Sequence, residues 1–465
     1  MAAESNPRTS ETQSVSSQGG TKDTLPGEKH PKDKHVYIAD TLPLHRQIPF
    51  ILTICSAMYT NQLGLGQTMD IVRVIGDWYG ITNSNELSWL VAGYSLTIGT
   101  FVLIAGRLGD DFGHKRMFII GMGWYALWTL VCGLAVYSTQ VLFIFACVFQ
   151  GMGPAVMLPN AIAILGQSAP FGAISGFATG GLFALAWWPW AYWSAAIALA
   201  CLAVFAVYTT SKPRTIIQKI AHLDLSGCIT GVASLVLINF AWNQAAGVSW
   251  QEPYVYVCLI LGFLFAAAFF WVELHWSKDP ILPLAAFNSD IAFVYYAAVF
   301  VMELDNVSPL LLAAWYSPVI PSGLTSALAV GKLLGRVSAA WVMVIGMVAY
   351  LISVLIICVG MDSSFPAATI IFSDAVPLKY QGIGASVVMT IVNYSISLGL
   401  GFAGTVEREV NRGGHTYDDK KRGYRGAFYF EVGLAGLGLM MSLVFLVKDH
   451  LRKKAKKAAA DDESA

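Results

Sequence analysis

The residues able to handle charge or hold a guest by hydrogen bonds are few, and they stand in or beside long apolar stretches. The carboxylates Asp70, Glu303, Asp362, Asp374 and Glu431 lie near the ends of such stretches or between them. A carboxylate there can reach water at a membrane edge, or exchange a proton if it is carried inward, because charge costs far more at the hydrocarbon centre than at its border. Asp70 and Glu431 rank first for proton exchange. The neutral polar residues Asn61, Gln150, Asn160, Asn239 and Asn393 lie deeper. They can line a cavity and bond a substrate, or tie one helix to the next.

The densest polar cluster between apolar stretches is Gly106-Arg107-Leu108-Gly109-Asp110-Asp111-Phe112-Gly113-His114-Lys115-Arg116. Its spacing predicts a tight turn built on Gly106, Gly109 and Gly113. Asp110 or Asp111 would accept hydrogen bonds at the start of the next helix, while Lys115 and Arg116 face anionic headgroups or a partner carboxylate. A second pattern, Gly172-x3-Gly176-x3-Gly180-Gly181, lays a smooth stripe along one helix face, so that a neighbouring helix can approach closely and pivot.

Other chemistry is poorly supported. Cys55, Cys132, Cys147, Cys201, Cys228, Cys258 and Cys358 stand singly in apolar runs, without metal-ligand spacing, and read as small packing residues. No HExxH, GxSxG or Walker A string occurs in the spans. The expectation is no enzyme, no metal and no bound cofactor. Formal charge is zero, so no global field draws nucleic acid.

The elements that must position these residues follow from composition. Of 465 residues, 56% are hydrophobic and 12% charged, against about 25% charged in a typical soluble domain. More than half of the charged residues cluster in 1–46, 405–426 and 448–465. Lipid must therefore solvate most of the chain, as an all-α membrane protein. Stretches near 48–69, 87–105, 117–137, 141–166, 169–187 and 189–210 can each cross the bilayer, as can others near 225–245, 254–273, 291–304, 308–330, 340–360, 365–377, 384–404 and 427–447. Residues 1–46 read as a disordered cytoplasmic tail without a cleavable signal.

Basic residues in short loops set the orientation. Arg107, Lys115, Arg116, Lys212, Arg214, Lys219, Lys278, Lys332, Arg336 and Lys379 fall on one side and Arg73 on the other. Both termini are then cytoplasmic, with 448–465 a basic tail and 405–426 a long outer loop. The uncharged run from Val141 to Thr210 and the short spans 291–304 and 365–377 point to internal deletion. Short, tilted or broken helices are the alternative.

The 106–116 string resembles the signature loop Gly-x-Leu-x-Asp-x-x-Gly-x-Lys-Arg of the major facilitator superfamily. The chain is similar in particular to the fungal fourteen-span drug:proton antiporters, through Gly64-Leu65-Gly66-Gln67-Thr68, Phe149-Gln150-Gly151-Met152-Gly153, Trp187-Trp188-Pro189-Trp190, Asp362-Ser363-Ser364-Phe365-Pro366 and Asn393-Tyr394-Ser395. The resemblance implies a major facilitator fold of about 12–14 spans, with two six-helix halves, 47–210 and a shortened 291–447. A linker and central helix pair would occupy 211–290. In the second half Gly331-Lys332-Leu333-Leu334-Gly335-Arg336 is a weak echo of the loop.

By the same resemblance, Asp110 belongs to a conformational latch with Gly106, Leu108, Gly113, Lys115 and Arg116. The stripe lies where antiporters carry Gly-Pro-x-x-Gly-Gly, with Phe177 in place of the proline. Cys147 stands where antiporters carry an arginine that assists proton coupling. The implied function is export of a drug, toxin or secondary metabolite by a monomeric multi-pass protein of the plasma or vacuolar membrane, with the proton gradient as energy source. Transport of a small polar species such as ammonium, borate or an azole, and a degenerate non-transporting copy, stay open. The tryptophan-rich clusters 124–128 and 187–193 fit the interfacial belt.

Overall fold

Helix is the only secondary structure that lets an isolated apolar segment satisfy every backbone donor and acceptor within itself, and the described part of the chain uses little else. The computed structural model describes residues 44–81, 84–159, 169–209, 225–275, 337–356, 381–411 and 416–463, with three isolated positions besides. Residues 1–43 of the expected tail 1–46, the short spans 291–304 and 365–377, the span 308–330, the echo at 331–336, Asn160, Glu303, Asp362 and Asp374 lie outside these residues, isolated positions aside, while the last three residues of that tail, from Leu44, already belong to a helix.

In chain order the helices are α1 (Leu44–Asp70), α2 (Val72–Tyr79), α3 (Ser84–Phe112), α4 (His114–Leu134), α5 (Gln140–Met157), α6 (Ala169–Ala184), α7 (Pro189–Thr209), α8 (Leu225–Val248), α9 (Pro253–His275), α10 (Ala339–Ile356), α11 (Gln381–Val410) and α12 (Tyr417–Glu463). No strand occurs among the described residues. Seven of the described helices are long and apolar enough to cross a membrane. The apolar side chains of α9 and α12 face outward, with Leu264, Trp271, Tyr429 and Met440 exposed, as a lipid-facing surface requires.

Pairing of the helices is specific. α1 packs on α6, α3 on α5 and α11, and α4 on α5 and α7, while α8 and α9 form a pair in which α8 also touches α3 and α11. α10 and α11 both pack on α12. The stripe explains the first pairing. A β-carbon at Gly172 would strike the Tyr59 carbonyl, one at Gly176 the Leu63 carbonyl, and one at Gly180 would lie 3.0 Å from the Gln67 carbonyl. Residues four apart on α6 thus meet residues four apart on α1, and only bare backbone permits that separation. Gly181 is also buried.

Several sequence expectations are corrected. Gly106 and Gly109 are not turn residues: α3 runs through them to Phe112, and the reversal is confined to Gly113, with φ 90°. Hydrogen bonding within the helix supplies those backbone groups, so one residue in a conformation open to glycine suffices. The N-cap of α4 is Gly113 itself, without a side-chain bond, and the side chains of Asp110 and Asp111 lie outside the described set. The long outer loop at 405–426 is mostly helix, because α11 continues to Val410 and α12 starts at Tyr417. Thr416 caps α12 there: its Oγ1 accepts from Asp419 N at 3.1 Å and donates to Asp419 Oδ2 at 2.7 Å.

Candidate functional site

The polar residues of the amino-terminal helices converge on one another. Tyr94 of α3 donates its hydroxyl toward Asn61 Oδ1 of α1 at 2.9 Å, with Tyr125 OH of α4 at 3.2 Å, and Tyr125 OH donates to the Thr60 carbonyl at 3.0 Å. Gly64 makes room, since a β-carbon there would overlap the Tyr125 hydroxyl. One turn further along α4, Thr129 Oγ1 accepts from Gln150 Nε2 of α5 at 2.9 Å. Cys132 Sγ lies 3.9 Å from Cys147 Sγ. All these side chains are buried, so the network exchanges its bonds within protein, as low-dielectric surroundings demand.

A second cluster ties α8 to both neighbours. Asn239 Oδ1 accepts from Ser397 Oγ of α11 at 2.8 Å and from Asn243 Nδ2 at 2.9 Å. Ser397 Oγ also lies 2.9 Å from the Ala92 carbonyl of α3, and Asn243 Nδ2 lies 3.0 Å from the Ser397 carbonyl. Tyr394 OH donates to the Leu235 carbonyl at 3.1 Å, and Trp89 Nε1 donates to Gln244 Oε1 at 3.2 Å. Gly99 of α3 faces the Asn393–Tyr394 backbone at a distance that a β-carbon would close to 2.7 Å.

The α1–α6 interface holds the third group. Asp70 and Gln67 are 0% and 1% exposed. Both Asp70 carboxylate oxygens and Gln67 Oε1 meet no hydrogen-bonding partner among the described residues. Asp70 Oδ2 sits opposite Gly180, 3.2 Å from where a β-carbon would be. Thr68, between the two, donates to the Gly64 carbonyl at 3.0 Å and pairs with Tyr192 OH at 3.0 Å.

Of the residues singled out by sequence, the structure joins Asn61 to Tyr94, Gln150 to Thr129 and Asn239 to Ser397, each across a helix pair. Asn393 bonds backward within its own helix, Nδ2 to the Met389 carbonyl at 3.0 Å. Glu431 is buried on α12. In the 106–116 segment, Lys115 Nζ donates to the Val207 carbonyl at 3.3 Å, at the negative end of α7, and Arg116 is exposed. The latch reading of Asp110 concerns a side chain outside the described set. Trp188 and Tyr192 are 2% and 1% exposed and pack edge-on against Phe143; they are core residues, a correction to the interfacial-belt reading. Sequence reasoning passed over Tyr94 and Ser397, whose only linear signal is a polar atom in an otherwise apolar stretch, and it took Tyr125, buried here, as part of the interfacial belt.

Polar ties buried between long apolar helices, with a buried carboxylate at one helix end, define a multi-helix membrane protein. The chain belongs to the Major Facilitator Superfamily, whose sequence profile matches residues 50–363. It is 45% identical to the efflux pump terG of Aspergillus terreus, over 93% of this chain and 92% of that one. That alignment runs over 493 positions, more than the 465 residues present here, so the relative carries segments this chain lacks. The chain is also 41% identical to the low affinity ammonium transporter of Saccharomyces cerevisiae, over 88% and 90% of the two chains. Among solved structures, a peptide transporter of the POT family in complex with a thioalcohol conjugated peptide shares its fold, with TM-score 0.60 at 14% identity, over 86% of this chain and 96% of that one. The protein is an integral, multi-pass membrane transporter and not an enzyme.

Proposed function

We propose that this transporter exports a drug, toxin or secondary metabolite in exchange for protons, by alternating access at the plasma membrane. The observation that carries the reading is Asp70, a carboxylate buried on the α1–α6 face with no cation or donor beside it among the described residues. A group so placed favours protonation in one state and ionisation in another when its surroundings change. The bare glycine face of α6 opposite α1 provides the surface along which those surroundings change. Similarity to an efflux pump over nearly the full length supports the direction of transport. Asp110 and its loop act as the latch between states.

The test is flux in membrane vesicles from cells expressing the chain, with an imposed proton gradient and a panel of apolar fluorescent compounds. Gradient-driven accumulation in inside-out vesicles is the expected result. Unchanged accumulation when the gradient is collapsed overturns the reading.

The second reading, transport of a small polar species, is favoured by the likeness to an ammonium transporter. A radiotracer flux of such a species that is indifferent to large organic competitors would select it.

A further inference from the structure

The three oxygens Gln67 Oε1, Asp70 Oδ1 and Asp70 Oδ2 stand on one helix three residues apart, on one face, and are buried without a donor among the described residues. Other polar atoms nearby are already engaged. Thr68 bonds Gly64 and Tyr192, and Arg73, the nearest cation in sequence, holds Asp77 at 3.7 Å. Facing Asp70 Oδ2 is Gly180, where a β-carbon would lie 3.2 Å away, so the carboxylate is bordered on α6 by bare backbone and no side chain. Buried acceptors without donors are costly, and the deficit here is of one kind: hydrogen-bond donors, with positive charge to match the carboxylate.

We infer that this α1–α6 site binds an ammonium-type cation, either ammonium itself or the protonated primary amine of a larger compound. Such a group offers several N–H donors on one compact positive charge and needs no acceptor in return. A quaternary ammonium has charge but no N–H, and leaves the three oxygens unsatisfied. The inference rests on reading Asp70 as the group that changes charge partner during transport, and it names the other partner.

The experiment uses the purified full-length protein in detergent. Its thermal unfolding midpoint is followed against ammonium, methylammonium and butylammonium chloride, with sodium and tetramethylammonium chloride at equal ionic strength as controls. A ligand that binds only the folded state raises the midpoint with concentration. The expected result is a saturable rise with N–H-bearing cations alone, lost in Asp70→Asn and shifted to higher concentration in Gln67→Met. A rise with ammonium and methylammonium but not butylammonium assigns the site to ammonium; a rise with all three assigns it to amine head groups. An equal rise with sodium or tetramethylammonium, or a rise retained in Asp70→Asn, overturns the inference. If Asp70→Asn does not fold, saturable binding of radiolabelled methylammonium to the unaltered protein decides, and its absence is equally fatal. No gradient is present, so failed proton-driven export with intact binding rejects only the function proposed above. Intact export without binding rejects only this inference.

Discussion

Ser397 and Asn239, 158 residues apart in sequence, share a hydrogen bond of 2.8 Å that fastens α11 to α8, while the same hydroxyl lies 2.9 Å from the Ala92 carbonyl of α3. Three helices therefore meet on one side-chain oxygen. Interhelical bonds of this kind in a bilayer are worth about 0.6 kcal/mol on average and up to about 1.7. A double-mutant cycle with Ser397→Ala and Asn239→Ala, read by thermal unfolding in detergent, should show coupling within that range, because the two side chains bond each other while Asn243 keeps the Asn239 and Ser397 backbone carbonyls in either single variant. Additive effects would mean that the two side chains do not act together.

Tyr94→Phe and Tyr125→Phe each remove a hydroxyl that bridges α1 to the next helices. Each should destabilise by about 1 kcal/mol, and together by less than the sum, since the hydroxyls contact one another at 3.2 Å. Unfolding midpoints of the two single variants and the double variant measure this.

Glycine substitutions separate close approach from mere occurrence. Gly176→Ala drives a β-carbon into the Leu63 carbonyl, whereas one at Gly123 or Gly433 meets nothing within 4 Å. The first should cost roughly 1–3 kcal/mol by overpacking and abolish flux, and the latter two should leave the folded yield unchanged. Fluorescence-detected size exclusion with transport on the same preparations distinguishes them.

Gly113→Ala should cost about 1–3 kcal/mol, because φ 90° is strained for any side chain. Gly123→Ala, inside α4 where a β-carbon meets nothing within 4 Å, should fold at least as well as the parent, since alanine is the better helix former. Reversal of that order in unfolding midpoints would place the turn elsewhere.

Cys147→Arg restores the arginine of the antiporters that the chain resembles, and recovered proton-driven flux would mark a scaffold that had lost its coupling residue. The geometry predicts the opposite. Cys147 is 1% exposed, and its Sγ sits 3.9 Å from Cys132 Sγ, so a guanidinium there would be buried without a carboxylate among the described residues. Folded yield should fall several-fold without gain of flux, as an uncompensated buried charge implies. Asp70→Asn, by contrast, should keep the fold and reduce gradient-driven flux by roughly 5–150-fold, the usual range of a coupling free energy.

Much of this was legible in residue order. The apolar lengths located α1 and α3 to α9, and the glycine spacing foretold a close helix contact on α6, though not that α1 makes it, because a one-in-four repeat has only one helical meaning. What could not be read was which partner a buried polar residue would find. Asn239 and Asn393 look alike in sequence, yet one bonds across helices and the other within its own. Aromatic residues posed the same difficulty: Trp188 and Tyr192 have the composition of an interfacial belt and the burial of a core. Helical continuity through 405–410 and 417–426 was hidden by charge, which reads as loop although a helix carries it at little cost near the membrane edge.

The tie at Ser397 also imposes an order on assembly. Ser397 follows Ala92 by 305 residues, so α3 and α8 are made long before the hydroxyl they share exists. Asn239 and Asn243 can satisfy part of their demand from each other, and they wait in that state while the rest of the chain is synthesised. α11 arrives late and closes the seam. A ribosome-stalled chain ending before residue 381 should therefore retain the α1–α6 and α3–α5 contacts and leave the α3–α8 groove open to cysteine-directed crosslinkers, marking the groove as the place where a quality-control factor could sense an unfinished molecule.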